Sequence, residues 1–375
     1  MKDLLYISAD SHVLEPGDIW SSGVSQKFKD AAPRVEYVDG KSCLIGEGLA
    51  GRPLSIAFAA GKRGENMDYN DTAWENRPVA GYDLEARLDA MAADGLSGEI
   101  LYPTLGLNMF SLADPELKRE CARAYNRWLG DFAKRSGGHL LAVGLMTVDT
   151  DEFWEEDIDY AIEQGCSVVM PPAVAETPWN LPFYDRLFDI VVDRKISLNF
   201  HIGAGGKLIR ATGPGAALMN YFYTIEGVQT LCHTMLWSGK LDQRPDLRIG
   251  FVEAGIGWIG PMLEKMDDIW EQHNHWTRPK LSRPPSETFR AQCYGTFERD
   301  RLGLLNRDFV GVENLMWATD YPHAESMWPD SLKIAERDFE GIPEEDRVKI
   351  MSTNAINFFD WTPPDIKARA RREAA

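Results

Sequence analysis

The stretch Tyr6-Ile7-Ser8-Ala9-Asp10-Ser11-His12-Val13 reads as a short apolar strand that ends in polar groups. Side chains alternate across a strand, so Asp10 and His12, two apart, face the same side. A carboxylate and an imidazole together at a strand end can grip a divalent cation with little backbone adjustment. Taken alone, a strand-end turn with a solvated aspartate is the plainer account of this pair. The same types recur far along the chain, however. His201 ends the apolar run Ile196–Phe200, Glu253 ends Leu247–Val252, and Asp320 ends Leu315–Thr319.

The intervening pattern shows what would position these groups. Regular alternation of strand and helix begins near Asp83, which caps an amphipathic helix stopped by Gly95. Gly98 to Thr104 reads as strand two, and Asp114-Pro115 opens a helix to about Ser136. Leu140 to Val148 is strand three. Asp149-Thr150-Asp151 caps the next helix, with Phe153, Trp154, Ile158 and Ile162 on its inner face. Cys166 to Pro171, Ile196 to His201 and Leu247 to Glu253 are strands four to six. Ala291 to Phe297 is a weaker strand seven, and Leu315 to Asp320 is strand eight. Helical stretches separate them, among them Leu181 to Lys195, about 216 to 239, and Trp258 to His273. Two helices follow strand eight, and Lys367 to Arg372 is a basic tail.

Eight strands with apolar interiors, alternating with helices, predict an α/β fold of the (β/α)₈ barrel type, with residues 1–375 as one domain. An open doubly wound sheet would want a glycine-rich phosphate loop after strand one, and Asp10-Ser11-His12 is not one. Residues 17–80 lack sustained periodicity. Val35–Val38 and Ser42–Ile45, across Asp39-Gly40, look like a hairpin, and the whole segment reads as a lid-like insertion or a surface loop.

Barrel chemistry sits at the carboxyl ends of the strands. Those ends carry Asp10 and His12, Tyr102 and Thr104, His201, Glu253, Thr296 and Asp320. Strands one and eight are neighbours in a closed barrel, so Asp10 and Asp320 are expected to meet. Asp10, His12, His201 and Asp320 form a donor set suited to one divalent ion, Zn²⁺ first, with Mn²⁺ or Fe²⁺ as alternatives. Tyr321, His323 and Trp328, just past Asp320, are candidates for substrate contact. His233, in a helical stretch beside Cys232 and Trp237, is a further one, against which core packing competes. His273-x-His275 reads as a solvated face, because residues two apart diverge on a helix.

The bulk properties narrow the partners. A formal charge of −18 argues against a nucleic-acid backbone. No apolar run approaches a membrane span, and the first residues turn polar too soon for a secretory leader. Five scattered cysteines, with no Cys-x-x-Cys, fit reduced thiols in a cytoplasmic protein. A small-molecule substrate is what remains.

Four motifs in order carry a family likeness: Ala9-Asp10-Ser11-His12-Val13-x-Glu15-Pro16, His201-Ile202-Gly203, Phe251-x-Glu253-Ala254-Gly255-x-Gly257-Trp258 and Ala318-Thr319-Asp320-Tyr321-Pro322-His323. Together they resemble the amidohydrolase-related branch of the amidohydrolase superfamily. That branch holds aminocarboxymuconate semialdehyde, resorcylate- and carboxyvanillate-type decarboxylases and meta-cleavage-product C–C hydrolases. The resemblance implies a mononuclear metal on Asp10, His12, His201 and Asp320, in a homodimer or homotetramer. The branch's decarboxylases carry a histidine at the end of strand six, often in a His-x-Gly-Glu setting. This chain has Glu253 there, and Ile256 where the following Glu would stand.

The leading expectation is therefore a metal-dependent hydrolase acting on an aromatic or carboxylated small molecule through a metal-activated water, with Asp320 as base and Glu253 as a second acid or base. The alternative is non-oxidative decarboxylation of an aromatic acid, with protonated Asp320 delivering a proton to carbon. A barrel without activity that acts as a binding protein is the third reading.

Overall fold

The computed structural model describes residues 4–54, 58–60, 62, 73–206 and 210–367. Its centre is an eight-stranded parallel sheet built from β1 (Ile7–His12), β5 (Gly98–Tyr102), β6 (Leu140–Leu145), β7 (Cys166–Met170), β8 (Ser197–His201), β9 (Ile249–Val252), β10 (Cys293–Phe297) and β11 (Leu315–Trp317), paired in that order. Two rungs draw its ends together. Asp320 N donates to Asp10 O at 3.0 Å, and His12 N donates to Tyr321 O at 2.7 Å. The cylinder is a (β/α)₈ barrel, as the alternating pattern implies. Strand interiors are buried on both faces, with Phe200, Phe251 and Trp317 fully enclosed. That burial is why these strands read as apolar runs rather than alternations.

Local signals explain the helix ends. Asp83 accepts from Ala86 N and starts the helix Leu84–Asp94, and Gly95, at φ +80°, ends it. Asp114 accepts from Glu116 N and Leu117 N ahead of Pro115–Lys134. The expected cap at Asp149-Thr150-Asp151 is not one. The helix begins at Trp154 with no side-chain cap, because Asp149 is taken by Lys118 Nζ at 2.6 Å. Ile162, expected on the inner face, is exposed. The buried stripe is Trp154, Ile158 and Ala161, and position 162 falls outside it.

The insertion is more ordered than a hairpin. β2 (Arg34–Val38), β3 (Lys41–Gly46) and β4 (Leu49–Pro53) form an antiparallel sheet, so a third strand joins the expected pair. The segment meets the barrel mouth where Ala60 N donates to Pro322 O at 3.0 Å. The basic tail beyond Lys367 lies outside the described residues.

Beneath β1 sits a buried ion pair. Arg87 Nε lies 2.5 Å from Glu99 Oε2, and Arg87 Nη1 donates to His12 O at 2.8 Å. The guanidinium thus ties the helix Leu84–Asp94 to the strand bearing His12. Removing one partner of such a pair leaves an uncompensated buried charge. Arg87→Met is expected to cost about 3–5 kcal/mol in urea denaturation. A loss under about 1 kcal/mol would mean that Glu99 is protonated in the native state.

Candidate metal centre

Every group in the centre stands at a strand's carboxyl end. Asp10 and His12 close β1, where the pairing with β5 slips between Ser8 and Ser11, a bulge that re-aims side chains. His201 is the last residue of β8, Glu253 follows β9, and Asp320 lies just past β11. Glu253 and Asp320 both adopt left-handed backbone, at φ +60° and +53°. Non-glycine residues rarely do so, and the cost is about 1–3 kcal/mol each. The surroundings impose it: Glu253 N donates to Thr296 Oγ1 at 2.9 Å, and Asp320 N is held by Asp10 O.

The side chains converge. His12 Nε2 lies 3.5 Å from Asp10 Oδ1, 3.3 Å from Asp320 Oδ1, 3.9 Å from Glu253 Oε2 and 3.2 Å from His201 Nε2. His201 Nε2 lies 3.1 Å from Glu253 Oε2 and 3.6 Å from Asp10 Oδ1. The outer nitrogens of both rings are committed as donors: His12 Nδ1 to Pro103 O at 2.9 Å and His201 Nδ1 to Ile202 O at 2.7 Å. In their neutral forms both rings therefore point an Nε2 lone pair inward, the second-sphere pattern of metal-binding histidines. Both oxygens of Asp10 and both of Asp320 are buried without a hydrogen-bond partner. Acceptors that converge with no donor call for a positive charge at their centre. These residues fit a divalent cation.

The electrostatics of the metal-free protein agree. Burial raises the Asp10 carboxyl, against the pull of His201. Asp320 is pushed well up by burial and then by Glu253 and Asp10. Burial, only partly offset by His201, takes Glu253 to about 7. Burial works against charge on His201, yet Asp10 and Glu253 outweigh it and hold its imidazole well above the usual range. His12 goes the other way, lowered by burial and by His323 and His201. All three of Asp10, His201 and Glu253 thus hold protons more readily than usual, which offsets part of the negative charge that a cation would balance.

The structure extends the cluster beyond the expected four. Asp10, His12, His201 and Glu253 form one set of donors able to hold an ion, and His12, Glu253, Asp320 and His323 form another. Glu253, expected as a second acid or base, stands within ligand reach. His323, expected at the substrate, stacks on His12 with ring centroids 3.8 Å apart, and burial lowers it to about 3. Tyr321 is nearly enclosed: its ring lies 4.9 Å from the Arg87 guanidinium carbon and 5.3 Å from Trp328. These partners lie outside the donor cluster.

His233 is not at the centre, contrary to expectation, and it is not in the core either. On the helix Ala216–Trp237 the buried residues are Val228, Leu231, Cys232, Met235 and Leu236, which turns position 233 outward. It lines a surface groove with Trp258 and Met262. Two acids were missed. Glu298, just past β10, has Oε1 buried without a partner, and burial and Glu253 push it well up. Its place two residues after Thr296 was the available signal. Glu15 accepts from Thr104 N, Leu105 N and Gly106 N at 3.1, 3.0 and 2.9 Å, clamping the turn after β5.

A family model described as amidohydrolase matches residues 113–361, about two thirds of the chain. The chain belongs to the amidohydrolase family. Among solved structures, an amidohydrolase from Mycobacterium avium subsp. paratuberculosis K-10 is similar, with a TM-score of 0.79 at 17% identity over 95% of this chain and 98% of that one. So is the 5-carboxyvanillate decarboxylase LigW of Sphingomonas paucimobilis, with a TM-score of 0.69 at 19% identity over 96% and 100%. A third is the 5-carboxyvanillate decarboxylase of Novosphingobium aromaticivorans DSM 12444, solved with manganese and 4-hydroxy-3-methoxy-5-nitrobenzoic acid. It gives a TM-score of 0.67 at 17% identity over 96% and 97%. No curated protein sequence matches the chain. This amidohydrolase-family barrel thus has decarboxylases among the solved structures of similar fold. Among the described residues, no helix is long and apolar enough to cross a membrane.

Proposed function

We propose that this amidohydrolase-family chain is a metal-dependent, non-oxidative decarboxylase of a small aromatic acid. The observation that carries the reading is Asp320: a fully buried carboxyl, unpartnered at both oxygens, at the edge of a cluster fit for a cation. The decarboxylases of similar fold support the same choice. A divalent cation held by Asp10, His12, His201 and Asp320 would supply a fixed positive point for the substrate's carboxylate and adjacent hydroxyl.

Asp320 faces His12 through Oδ1, which leaves Oδ2 for proton exchange. Its proton passes to the ring carbon that bears the carboxylate. The bond from that carbon to the carboxyl then breaks, its electron pair stays with the ring, and the carboxyl leaves as CO₂. Solvent returns one proton to Asp320. In the metal-free protein burial, and then Glu253 and Asp10, push the Asp320 carboxyl well up, so it holds a proton more readily than an exposed aspartate.

One observation favours a second reading, hydrolysis beside a carbonyl. Glu253 stands where the branch's decarboxylases carry histidine, and a carboxyl brought to about 7 suits a general base. Turnover of hydroxylated benzoates by metal-loaded protein in D₂O and H₂¹⁸O separates the two. Released CO₂, and an aromatic product with one deuterium where the carboxyl was and no ¹⁸O, is the expected result. Product that carries ¹⁸O would replace decarboxylation with hydrolysis. Metal below about a tenth of an equivalent, not restored by Zn²⁺ or Mn²⁺, would leave a binding protein.

A further inference from the structure

The helix Ala216–Trp237 packs only its second half inward. Val228, Leu231, Cys232, Met235 and Leu236 are buried, whereas none of residues 216–227 is. Leu218 is 78% exposed and Phe222 57%, with Met219 and Tyr221 exposed beside them. These turns are nonetheless held in place. Asn220 Oδ1 accepts from Arg210 N and Ala211 N at 2.8 Å each, and Asn220 Nδ2 donates to Ala211 O at 3.0 Å. An apolar helix that is fixed but left uncovered by its own chain is the mark of an interaction surface. Helical spacing puts Met219, Phe222, Glu226, Thr230 and His233 on one outward stripe, opposite Val228 and Met235. The stripe changes character along its length. Met219 and Phe222 stand up as a ridge, and Glu226, Gln229, Thr230 and His233 line a groove with Trp258 and Met262.

We propose that this face is the twofold interface of a homodimer, in which two Ala216–Trp237 helices pack antiparallel about Glu226. A ridge and a groove on one helix are self-complementary under a twofold axis. With the axis at Glu226, Phe222 meets the partner's Thr230 and Met219 meets the partner's His233, so each ridge fills the other groove. The charge of Glu226 is offset within its own chain, because Arg210 Nη1 lies 3.5 Å from Glu226 Oε2 with its guanidinium over the Tyr223 ring. Charge also decides the occupant. The chain carries −18, yet residues 211–225 hold no Asp, Glu, Lys or Arg. Two copies that repel each other elsewhere can meet on this uncharged strip. A basic partner would be drawn to the acidic remainder instead, and an anionic membrane would want Lys or Arg beside the apolar face. Phe, Tyr, Trp and Met are the types enriched in protein interfaces. The 22-residue helix is about 33 Å long, and with its groove it spans about two helix widths, close to the roughly 800 Å² that a stable dimer takes from each partner.

The test needs neither substrate nor metal, so it stands or falls apart from decarboxylation. Full-length protein in sedimentation equilibrium at micromolar concentrations is expected at twice the 42.2 kDa of one chain. Phe222→Glu combined with Met219→Glu, both on the surface, should raise the dimer Kd about 100-fold with an unchanged circular dichroism spectrum. Leu302→Glu, an equally exposed leucine elsewhere, should leave the dimer intact. Cysteine cross-linking reads the register, because all five native cysteines are buried. Glu226→Cys, on the axis, should form a disulfide-linked dimer on mild oxidation. Phe222→Cys alone should not, since like positions four residues from the axis lie about 12 Å apart, beyond the reach of a disulfide. Phe222→Cys with Thr230→Cys in the same chain should. A monomer throughout the concentration range would overturn the proposal, as would a dimer that survives the paired glutamates or one that Leu302→Glu breaks equally. A cross-link through Phe222→Cys and not Glu226→Cys would overturn the antiparallel packing. Monomeric protein that binds phosphatidylserine vesicles, and loses that binding with the paired glutamates, would replace the second copy with a lipid surface.

Discussion

Asp320→Asn is expected to lower turnover by about 10³-fold or more while the protein stays folded. The magnitude follows from removing a positioned acid, worth about 10²–10⁴-fold in general acid–base catalysis. Asparagine keeps the shape of the side chain and has no proton to exchange at the reacting atom. It also suits the backbone, because position 320 sits at φ +53°, a region that asparagine tolerates better than most residues. The bond from the residue 320 amide to Asp10 O does not depend on the side chain, so the closure between the first and last strands survives. Burial, and then Glu253, Asp10 and Glu298, disfavour charge on the Asp320 carboxyl, and asparagine replaces it with a group that carries none. The metal-free variant should therefore melt no lower than the wild type. Thermal melts, metal analysis and kcat on the same preparation separate the outcomes. Activity above a tenth of wild type, with metal bound, would remove Asp320 from the reaction.

How much of this centre was visible in the chain depends on what each feature needed. The barrel was legible because its strands are buried on both faces, and so appear as separate apolar runs with polar punctuation. Asp10, His12, His201 and Asp320 were legible because they sit where those runs stop. Distances were not. Glu253 was recognised as an acid at the right level, but the left-handed turn that swings it to 3.1 Å from His201 has no signature in residue type. His233 misled because Ala216–Trp237 carries apolar residues nearly all round, including exposed Leu218 and Phe222, so no polar stripe sets its phase. Arg87 and Glu15 were invisible for a related reason. Each is a charged residue whose buried partner lies on a distant strand or turn, and sequence spacing does not encode that pairing. The choice between hydrolysis and decarboxylation was hidden because both draw on the same donors.

His201→Ala should empty the centre, and the loss should be visible without any substrate. The wild type is expected to bind about one equivalent of Zn²⁺ or Mn²⁺ and the variant less than a tenth. His201 supplies a nitrogen that faces Glu253, Asp10 and His12 together. The acids alone would still attract a cation, but without the His201 nitrogen its soft donor set is halved. Binding should also stabilise the native state, by about 4 kcal/mol at a thousandfold excess over Kd, so chelation of the wild type should lower Tm by several degrees. The pH dependence has a definite sign. In the metal-free protein Asp10, Glu253 and His201 all hold protons above their ordinary values, with Glu253 at about 7. Asp10 and His201 must lose protons to ligate, and a cation bound beside Glu253 favours its ionised form, so affinity should rise as pH goes from 6 to 8 and protons should be released on binding. Calorimetry in buffers of different ionisation enthalpy counts them. A wild type that binds equally at pH 6 and pH 8 and releases no protons, or a His201→Ala variant that retains its ion, would mean that the cation is held elsewhere.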